Sequence, residues 1–296
     1  MIDQLAAVRT APTRGAVRLA VGTEPVTVEL DGVLYDEGGN PKSNQLVNAE
    51  VTVLAYHFWT REGYGAAFAH VQHAIEETWR HCGALKTVLV VNERQPCVDT
   101  FAASHPNVEV QEEPSLVPGD IHTMSVDCNS RLYTRFKTPY VLIVQNDGYP
   151  LRDGLRDFVG RYDFIGAPYV RDVWWKRLVC RLFSCWTQNG GFSLRSRRIC
   201  EAAAKLWNEK YSKMGKCANS SEDIFYTQFL PLHDRAYRRT FRLATNRESL
   251  RFSWDAIVPI PQPKDLPFGA HGEKSLAALP GNSLADGLQA LAKEEK

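Results

Sequence analysis

The chain has 296 residues, of which 44% are hydrophobic and 23% are charged, and its formal net charge is +1. This composition is ordinary for a globular protein with a sizeable core, and the length allows one large domain or two small ones. The nearly neutral charge excludes a general attraction to nucleic acids or membranes, so any basic surface must be local. The 7 cysteines include no C-x-x-C pair, which favours reduced thiols in a cytoplasm over a zinc site or a disulfide framework.

No targeting or membrane segment is predicted. Residues 1–14 lack the apolar core of a secretion signal, and no apolar run approaches the ~18 residues of a membrane span. We therefore expect a cytoplasmic protein without a transmembrane segment.

Three regions follow one another along the chain. Residues 1–47 predict a small N-terminal β-hairpin or arm, because residues 16–21 and 26–34 alternate weakly between apolar and polar. Residues 48–273 predict the main domain. Residues 274–296 are rich in Ala, Leu and Lys, which indicates a peripheral helix or tail.

Strands and helices alternate at the start of the main domain. Strands are predicted over residues 51–56, 85–91, 108–111 and 140–144, and helices over residues 66–82 and 120–136. Further on, helices are predicted over residues 151–161 and 197–211 and from Ser221 onward, and strands over residues 162–168 and after the glycine turn at residues 188–191. This order predicts an α/β, Rossmann-like fold with a mostly parallel central sheet flanked by helices.

The strand at residues 140–144 ends abruptly in Gln145, Asn146, Asp147 and Gly148. The carboxyl ends of strands in an open α/β sheet face the ligand crevice. We therefore expect Asp147 to lie in an active site. The alternative is an ordinary turn, since Asn-Asp-Gly is strong turn chemistry.

Further motifs stand in a fixed order along the chain. They are Asp163–Pro168, Asn189–Arg195, Glu222–Asp223 and Phe268–His271. Together with Gln145–Gly148, this set resembles the GT-A fold of nucleotide-sugar glycosyltransferases, over roughly residues 50–272. It is most similar to a family of bacterial and viral domains of unknown function that are classed as glycosyltransferase-like. The resemblance implies an inverting transfer of a sugar from a nucleotide donor, with UDP-sugars favoured, in a bacterium or a virus-infected host cell.

The resemblance also implies a divalent cation, Mn²⁺ or Mg²⁺, at the donor diphosphate. GT-A enzymes usually hold it with an Asp-x-Asp motif, but here Gln145 stands at the first position and only Asp147 matches. The resemblance implies that His271 supplies a second ligand. The alternative is a loop histidine in a structural hydrogen bond, and the missing carboxylate leaves metal dependence open.

The acidic pair Glu222–Asp223 has a catalytic and a structural interpretation. By resemblance, Asp223 is the general base that deprotonates the acceptor hydroxyl, and Glu222 contacts the acceptor or supports the base. The structural interpretation is acidity at a helix N-terminus, which is common.

Fold analogy adds further candidates for donor binding. They are His57, Thr60 and Arg61 after the first strand, Asn92 after the second, Gln145, Asn146 and Gly148 beside Asp147, and Asn189, Gly190 and Gly191 in the glycine motif. Arg195 either pairs with a phosphate or is a surface arginine on a strand.

Candidates for acceptor binding are Trp174, Trp175 and Trp186, which alternate with basic residues. They could stack on a saccharide or, with the arginines between residues 235 and 251, hold a modified nucleic-acid base. They could equally be packing residues with arginine stems lying over the rings. The incomplete Asp-x-Asp motif leaves another function open, a non-catalytic sugar- or nucleotide-binding module. A nucleotidyltransferase is disfavoured, because residues 57–65 contain no lysine.

Overall fold

The computed structural model describes residues 18–19, 28–30, 33–35, 49–168, 188–214, 221–255 and 266–278. The chain divides into two compact units, Met1–Leu46 and Val47–Lys296. In the first unit, strands β1 (Arg18–Leu19), β2 (Val28–Leu30) and β3 (Val33–Tyr35) form an antiparallel sheet in that order. A small β structure is thus present where the sequence predicts a hairpin.

The second unit contains a central sheet and a smaller one. Its strands are β4 (Val51–His57), β5 (Thr87–Val91), β6 (Val108–Glu112), β7 (Tyr140–Val144), β8 (Gly148–Pro150), β9 (Phe164–Pro168), β10 (Gln188–Ser196), β11 (Ser253–Asp255) and β12 (Gly269–His271). The central, 6-stranded sheet has the order β6-β5-β4-β7-β10-β9. Strands β4 to β7 are parallel to their neighbours among themselves, and β10 is antiparallel to β7 and β9. The predicted α/β fold with a mostly parallel sheet is confirmed.

Helices connect and cover these strands. They are α1 (Tyr64–Cys82), α2 (Pro96–Ser104), α3 (Ile121–Arg131), α4 (Arg197–Leu206), α5 (Glu222–Ile224), α6 (Leu230–His233), α7 (Arg235–Thr240), α8 (Asn246–Phe252) and α9 (Glu273–Ala278). Two π-helical turns, Trp207–Tyr211 and Phe225–Phe229, directly continue α4 and α5. Within the described ranges, no helix combines the length and the apolar character that a membrane crossing requires.

The helices predicted over residues 66–82, 120–136 and 197–211 and from Ser221 onward are present. Helices α2, α7 and α8 are not predicted. The helix predicted for residues 151–161 is wrong, because this segment forms only a 3₁₀ turn at Leu155–Asp157. Gly154 and Gly160 flank that turn with φ values of 130° and 80°. Such left-handed backbone interrupts a right-handed helix on both sides.

The central sheet buries both of its faces. Successive residues of a strand point to opposite faces, and accordingly Val53 packs with Phe68 of α1, whereas Leu54 packs in the cluster that contains Met124 of α3 and Ile199 of α4. Burial on both sides explains why the strands are apolar runs rather than alternating ones.

The smaller sheet brings distant segments of the chain together. Strand β11 is parallel to β12, and β12 is antiparallel to β8. Asp255, His271 and Gly148 stand opposite one another across the three strands. The turn between β7 and β8 is closed by two backbone hydrogen bonds of 3.0 Å between Gln145 and Gly148. The predicted turn is therefore present, with Asp147 near its tip.

A buried carboxylate, Asp163, joins β9, β10 and the segment after α7. It accepts hydrogen bonds from Ser196 Oγ at 2.6 Å, from Arg198 Nε at 2.6 Å and from the backbone N–H of Arg242 at 2.9 Å. We expect Asp163→Ala to lower the free energy of unfolding by about 3 kcal/mol, because buried donors lose their acceptor. Urea denaturation measures this loss.

Arg198→Ala is the control for that measurement. The Arg198 side chain is 61% exposed, so its loss should cost about 1 kcal/mol or less. Equal effects of the two substitutions would show that the donors around Asp163 find other partners.

Candidate active site

A cavity of about 520 Å³ opens where β4 and β7 end. Its walls come from the end of β4, the first turns of α1, the start of α3 and the turn after β7. The residues that shape it include Tyr56, His57, Trp59, His70, Ile121, Met124, Gln145 and Asn146. Among the lining residues that the structure describes, none is Asp, Glu, Lys or Arg. The cavity therefore carries no charge at a pH at which its two histidines, His57 and His70, are neutral.

A buried hydrogen bond lies behind the inner part of the cavity, and the rim of the cavity is apolar. Tyr56 donates a hydrogen bond of 2.7 Å to the buried Asp127. Burial lowers the pKa of His57 to about 4, so this imidazole is neutral at physiological pH. At the rim, Trp59 is 48% and Ile121 62% exposed. An uncharged cavity with exposed aromatic and aliphatic surface at its mouth suits a planar heterocycle.

Asp147 and His271 meet beside this cavity. His271 Nε2 lies 3.6 Å from Asp147 Oδ1 and 3.3 Å from Gln145 Oε1. The backbone N–H of Gly272 donates a bond of 2.6 Å to the Asp147 carbonyl. Because Gln145 also lines the cavity, the cavity and this polar pair are contiguous.

Asp255, which the sequence analysis does not single out, lies behind His271. Its Oδ2 is 3.3 Å from His271 Nδ1 and accepts a bond of 3.0 Å from Asn189 Nδ2. Burial lowers the pKa of His271, but the hydrogen bond with Asp255 and the charges of Asp147, Asp255 and Asp223 outweigh it, so the pKa is raised overall. The sequence signal for Asp255 is weak, because β11 is only 3 residues long and has no readable periodicity.

The acidic pair lies at the start of α5, as the sequence predicts. Glu222 is buried: its Oε1 accepts a bond of 3.2 Å from Arg195 Nη2, and its Oε2 one of 3.1 Å from Ser125 Oγ. Asp223 is half-buried, and its Oδ1 accepts a bond of 2.6 Å from the backbone N–H of Ile224. Burial, together with the charge of Glu222, raises the pKa of Asp223 to about 6.

Arg195 matches neither of its two sequence interpretations. Its side chain is 0% exposed, so it is not a surface arginine, and its charge is paired with Glu222 rather than left available for a phosphate. The guanidinium lies 4.8 Å and 5.1 Å from the ring centres of Phe164 and Tyr226. Arg195 also donates a bond of 3.2 Å to the carbonyl of Gly190. It is a buried structural cation.

The pair Gly190–Gly191 separates the two acidic groups. A Cβ atom on Gly190 would collide with Glu222 and Arg195, and one on Gly191 would collide with His271 and Gln145. A side chain at either position would therefore force these neighbouring side chains to move. Gly190 thus lies next to Asp223, and Gly191 lies next to His271, which is the neighbour of Asp147. Both acidic groups therefore lie in one region of the molecule.

The remaining predicted residues are spread more widely. Gly148 leaves room for the His271 ring, since a Cβ there would lie 2.8 Å from His271 Cδ2. Thr60 and Arg61 are exposed, and Arg61 pairs with Glu93. Asn92 accepts a bond of 3.2 Å from the backbone N–H of Trp59, which supports the cavity rim. Neither Thr60, Arg61 nor Asn92 is among the described residues that line the cavity. Trp174, Trp175 and Trp186 lie outside the described residues.

A family model described as "Protein of unknown function (DUF5672)" matches residues 117–271, more than half of the chain. The chain belongs to this family. The matched span runs from the cavity rim through Asp147, the glycine pair and the acidic pair to His271. The family description names no activity, and no curated protein matches the sequence.

Solved structures with some similarity include three glycosyltransferases. The mannosyltransferase Ktr4p from S. cerevisiae in complex with GDP is 11% identical, with a TM-score of 0.47 over 78% of this chain and 74% of that one. The mannosyltransferase PcManGT from Pyrobaculum calidifontis in complex with GDP-Man and Mn²⁺ is 15% identical, with a TM-score of 0.35 over 52% and 46%. The apo-form glycosyltransferase GlyE of Streptococcus pneumoniae TIGR4 is 12% identical, with a TM-score of 0.45 over 77% and 56%.

All three TM-scores lie below 0.5, and the interpretation of the site rests on this chain's own residues. The chain spans about half the length of the second and third of these structures.

The steric role of Gly190 can be tested by Gly190→Ala. We expect a loss of about 2 kcal/mol in the free energy of unfolding, because the methyl group displaces the buried Glu222–Arg195 pair. Urea denaturation measures the loss.

Gly65→Ala is the matched control for Gly190→Ala. Gly65 lies in α1 with no atom within 4 Å of an added Cβ, so this substitution should be neutral or stabilise by up to about 1 kcal/mol. Similar stability of the two variants would contradict the steric role of Gly190.

Proposed function

We propose that this protein is a glycosyltransferase. It transfers a sugar from a nucleotide-sugar donor to an acceptor hydroxyl, with inversion at the anomeric carbon. The observation that carries the proposal is the contiguity of three parts: an uncharged cavity, the Asp147–His271 pair beside it, and Asp223 across the glycine pair. These parts match the base, the diphosphate and the reacting sugar of a donor.

The cavity holds the nucleoside end of the donor. Its volume of about 520 Å³ lies within the range of small-molecule sites. The half-exposed Trp59 at the rim offers a face for the base. With the base there, the diphosphate extends past Gln145 and Asn146 toward Asp147.

Asp223 acts as the general base. A base works best with a pKa near the working pH, and burial raises the pKa of Asp223 to about 6. Its carboxylate takes the proton of the acceptor hydroxyl while the hydroxyl oxygen attacks the anomeric carbon and the nucleoside diphosphate departs. The buried Arg195–Glu222 pair fixes the start of α5 and thereby the position of this carboxylate.

Asp147 and His271 face the leaving diphosphate, and together they fit a divalent cation. Their Oδ1 and Nε2 atoms are 3.6 Å apart, a separation that two ligands at ~2.1 Å from one ion can span. Among the described residues, no group of three or more His, Cys, Asp or Glu side chains converges. Mg²⁺ and Mn²⁺ commonly take few protein ligands and complete their coordination with phosphate and water. A bound cation would neutralise the charge that develops on the diphosphate.

The acceptor is a saccharide, a glycoconjugate or a modified nucleic-acid base. The three tryptophans that the sequence suggests for acceptor binding lie outside the described residues. UDP-sugars are the first donors to test.

A panel of UDP-, GDP-, ADP- and dTDP-sugars tests the proposal. An enzyme should release nucleoside diphosphate from at least one donor, slowly with water and faster with an acceptor. Nucleotide binding by calorimetry without release from any donor would instead identify a non-catalytic binding module.

Asp223→Asn tests the general base. We expect kcat to fall by about 10³-fold with nucleotide affinity nearly unchanged, because the amide does not accept the proton. For the wild type, kcat/KM should rise with pH through about 6, since the base acts as the carboxylate and loses activity when it is protonated. Steady-state kinetics from pH 5 to 8 measure both effects, and unchanged turnover of the variant would remove Asp223 from this role.

Asp147→Ala tests whether Asp147 binds the cation at the donor diphosphate. With only two protein ligands, the cation should bind mainly together with the nucleotide, so Mn²⁺ should strengthen UDP binding to the wild type. We expect the variant to lose most of this gain, measured by calorimetry with and without Mn²⁺. Asp153→Ala is the control, because Asp153 is 80% exposed and contacts His81. An equal gain from Mn²⁺ in wild type and Asp147→Ala would exclude Asp147 as a ligand.

A further inference from the structure

We infer that Asp255 is a positioning residue that fixes the orientation and the tautomer of His271. This inference deepens the proposed function and rests on it for the role of His271 at the diphosphate. Neither the sequence motifs nor the family match assigns a role to Asp255.

The small sheet places Asp255 behind His271 by its register. Asp255 of β11 and His271 of β12 are direct partners in a parallel pair, and His271 is the direct partner of Gly148 in β8. Side chains of direct partners point to the same face of a sheet. The absent side chain of Gly148 lets the His271 ring lie over β8, with one nitrogen toward Asp255 and the other toward the turn that carries Asp147.

The two ring nitrogens consequently have different neighbours. Nδ1 faces the carboxylate oxygen Asp255 Oδ2 at 3.3 Å, whereas Nε2 faces the amide of Gln145 at 3.3 Å and Asp147 Oδ1 at 3.6 Å. The Asp255 side chain is 0% exposed, against 28% for Asp147. A buried carboxylate that accepts the Nδ1–H keeps Nε2 free of a proton in the neutral ring. Such a partner sets which nitrogen of a histidine is available as a ligand.

Asn189 holds Asp255 in place. Asn189 donates through Nδ2 to the same Oδ2 atom at 3.0 Å, and its Oδ1 accepts the backbone N–H of Gly191 at 2.8 Å. Asp255 therefore links β10, β11 and β12 at one carboxylate. Through Asn189 it also fixes the glycine pair that separates His271 from Glu222.

The test uses the full chain with ¹⁵N-labelled histidine, without metal or nucleotide, at an alkaline pH where the rings are neutral. Long-range ¹H–¹⁵N spectra distinguish a protonated from a bare ring nitrogen, and the signal lost in His271→Ala identifies His271 among the 8 histidines. We expect the wild type to carry the proton on Nδ1. In Asp255→Ala the proton should move to Nε2, the tautomer that prevails in free histidine.

Two further variants separate positioning from a general structural effect. Asn189→Ala keeps the carboxylate, so His271 should stay protonated on Nδ1. Asp255→Asn keeps the side-chain volume and one acceptor oxygen, so this variant should fold even if the cavity left by Asp255→Ala unfolds that variant. In Asp255→Asn, His271 should show a mixture of the two tautomers. A wild-type spectrum with the proton on Nε2, or an unchanged tautomer in both Asp255 variants, overturns the inference.

A binding measurement connects this orientation to the site. In the presence of UDP, we expect Asp255→Ala to weaken Mn²⁺ binding by about 10- to 100-fold, as is usual for loss of a residue that orients a ligand. UDP affinity without metal should stay unchanged. If the wild type binds neither UDP nor Mn²⁺, the proposed function fails, whereas the spectra still decide whether Asp255 orients His271. An unchanged Mn²⁺ affinity with a changed tautomer would reject the link to metal binding.

Discussion

The site depends on one steric constraint, the passage of the bare backbone of Gly190–Gly191 between two groups of polar side chains. Any larger side chain at either position would collide with Glu222 and Arg195 or with His271 and Gln145. The glycine pair lies in an irregular part of β10, and the residues on either side of it, Gln188 and Ser193, pair with Pro168 and Gly166 of β9. Two clusters that arise from distant parts of the chain are thereby held side by side.

Charge within this region is arranged in two different ways. Glu222 is neutralised in the interior by Arg195, so its carboxylate is a fixed structural group. Breaking such a buried pair leaves an uncompensated charge, which is strongly destabilising. For Asp223, the next residue, burial and the charge of Glu222 outweigh the charge of Arg195 and raise the pKa to about 6. Adjacent carboxylates are thus suited to different roles, one to support and one to proton transfer.

The His271 side follows the same principle. A buried carboxylate, Asp255, supports the ring from one side, and a partly exposed one, Asp147, faces the region next to the cavity. The supporting groups, Asp255 and Arg195, were the ones that the sequence analysis missed or misinterpreted. Of the residues predicted to do chemistry, Asp147 and Asp223 are partly exposed, whereas Glu222 is buried.

The sequence by itself determined the strands of the central sheet, helices α1, α3 and α4, the turn that carries Asp147 and the helix that begins at Glu222, because each depends on local chemistry: apolar runs, turn residues and helix termini. The helix that the sequence predicts around Leu155 is absent, because two glycines with left-handed backbone flank this segment. Only the tertiary structure decided that Asp255 lies behind His271 and that Arg195 is buried against Glu222. Strands of 3 residues carry no periodicity, and such pairings arise from sheet register and burial between residues far apart in the chain.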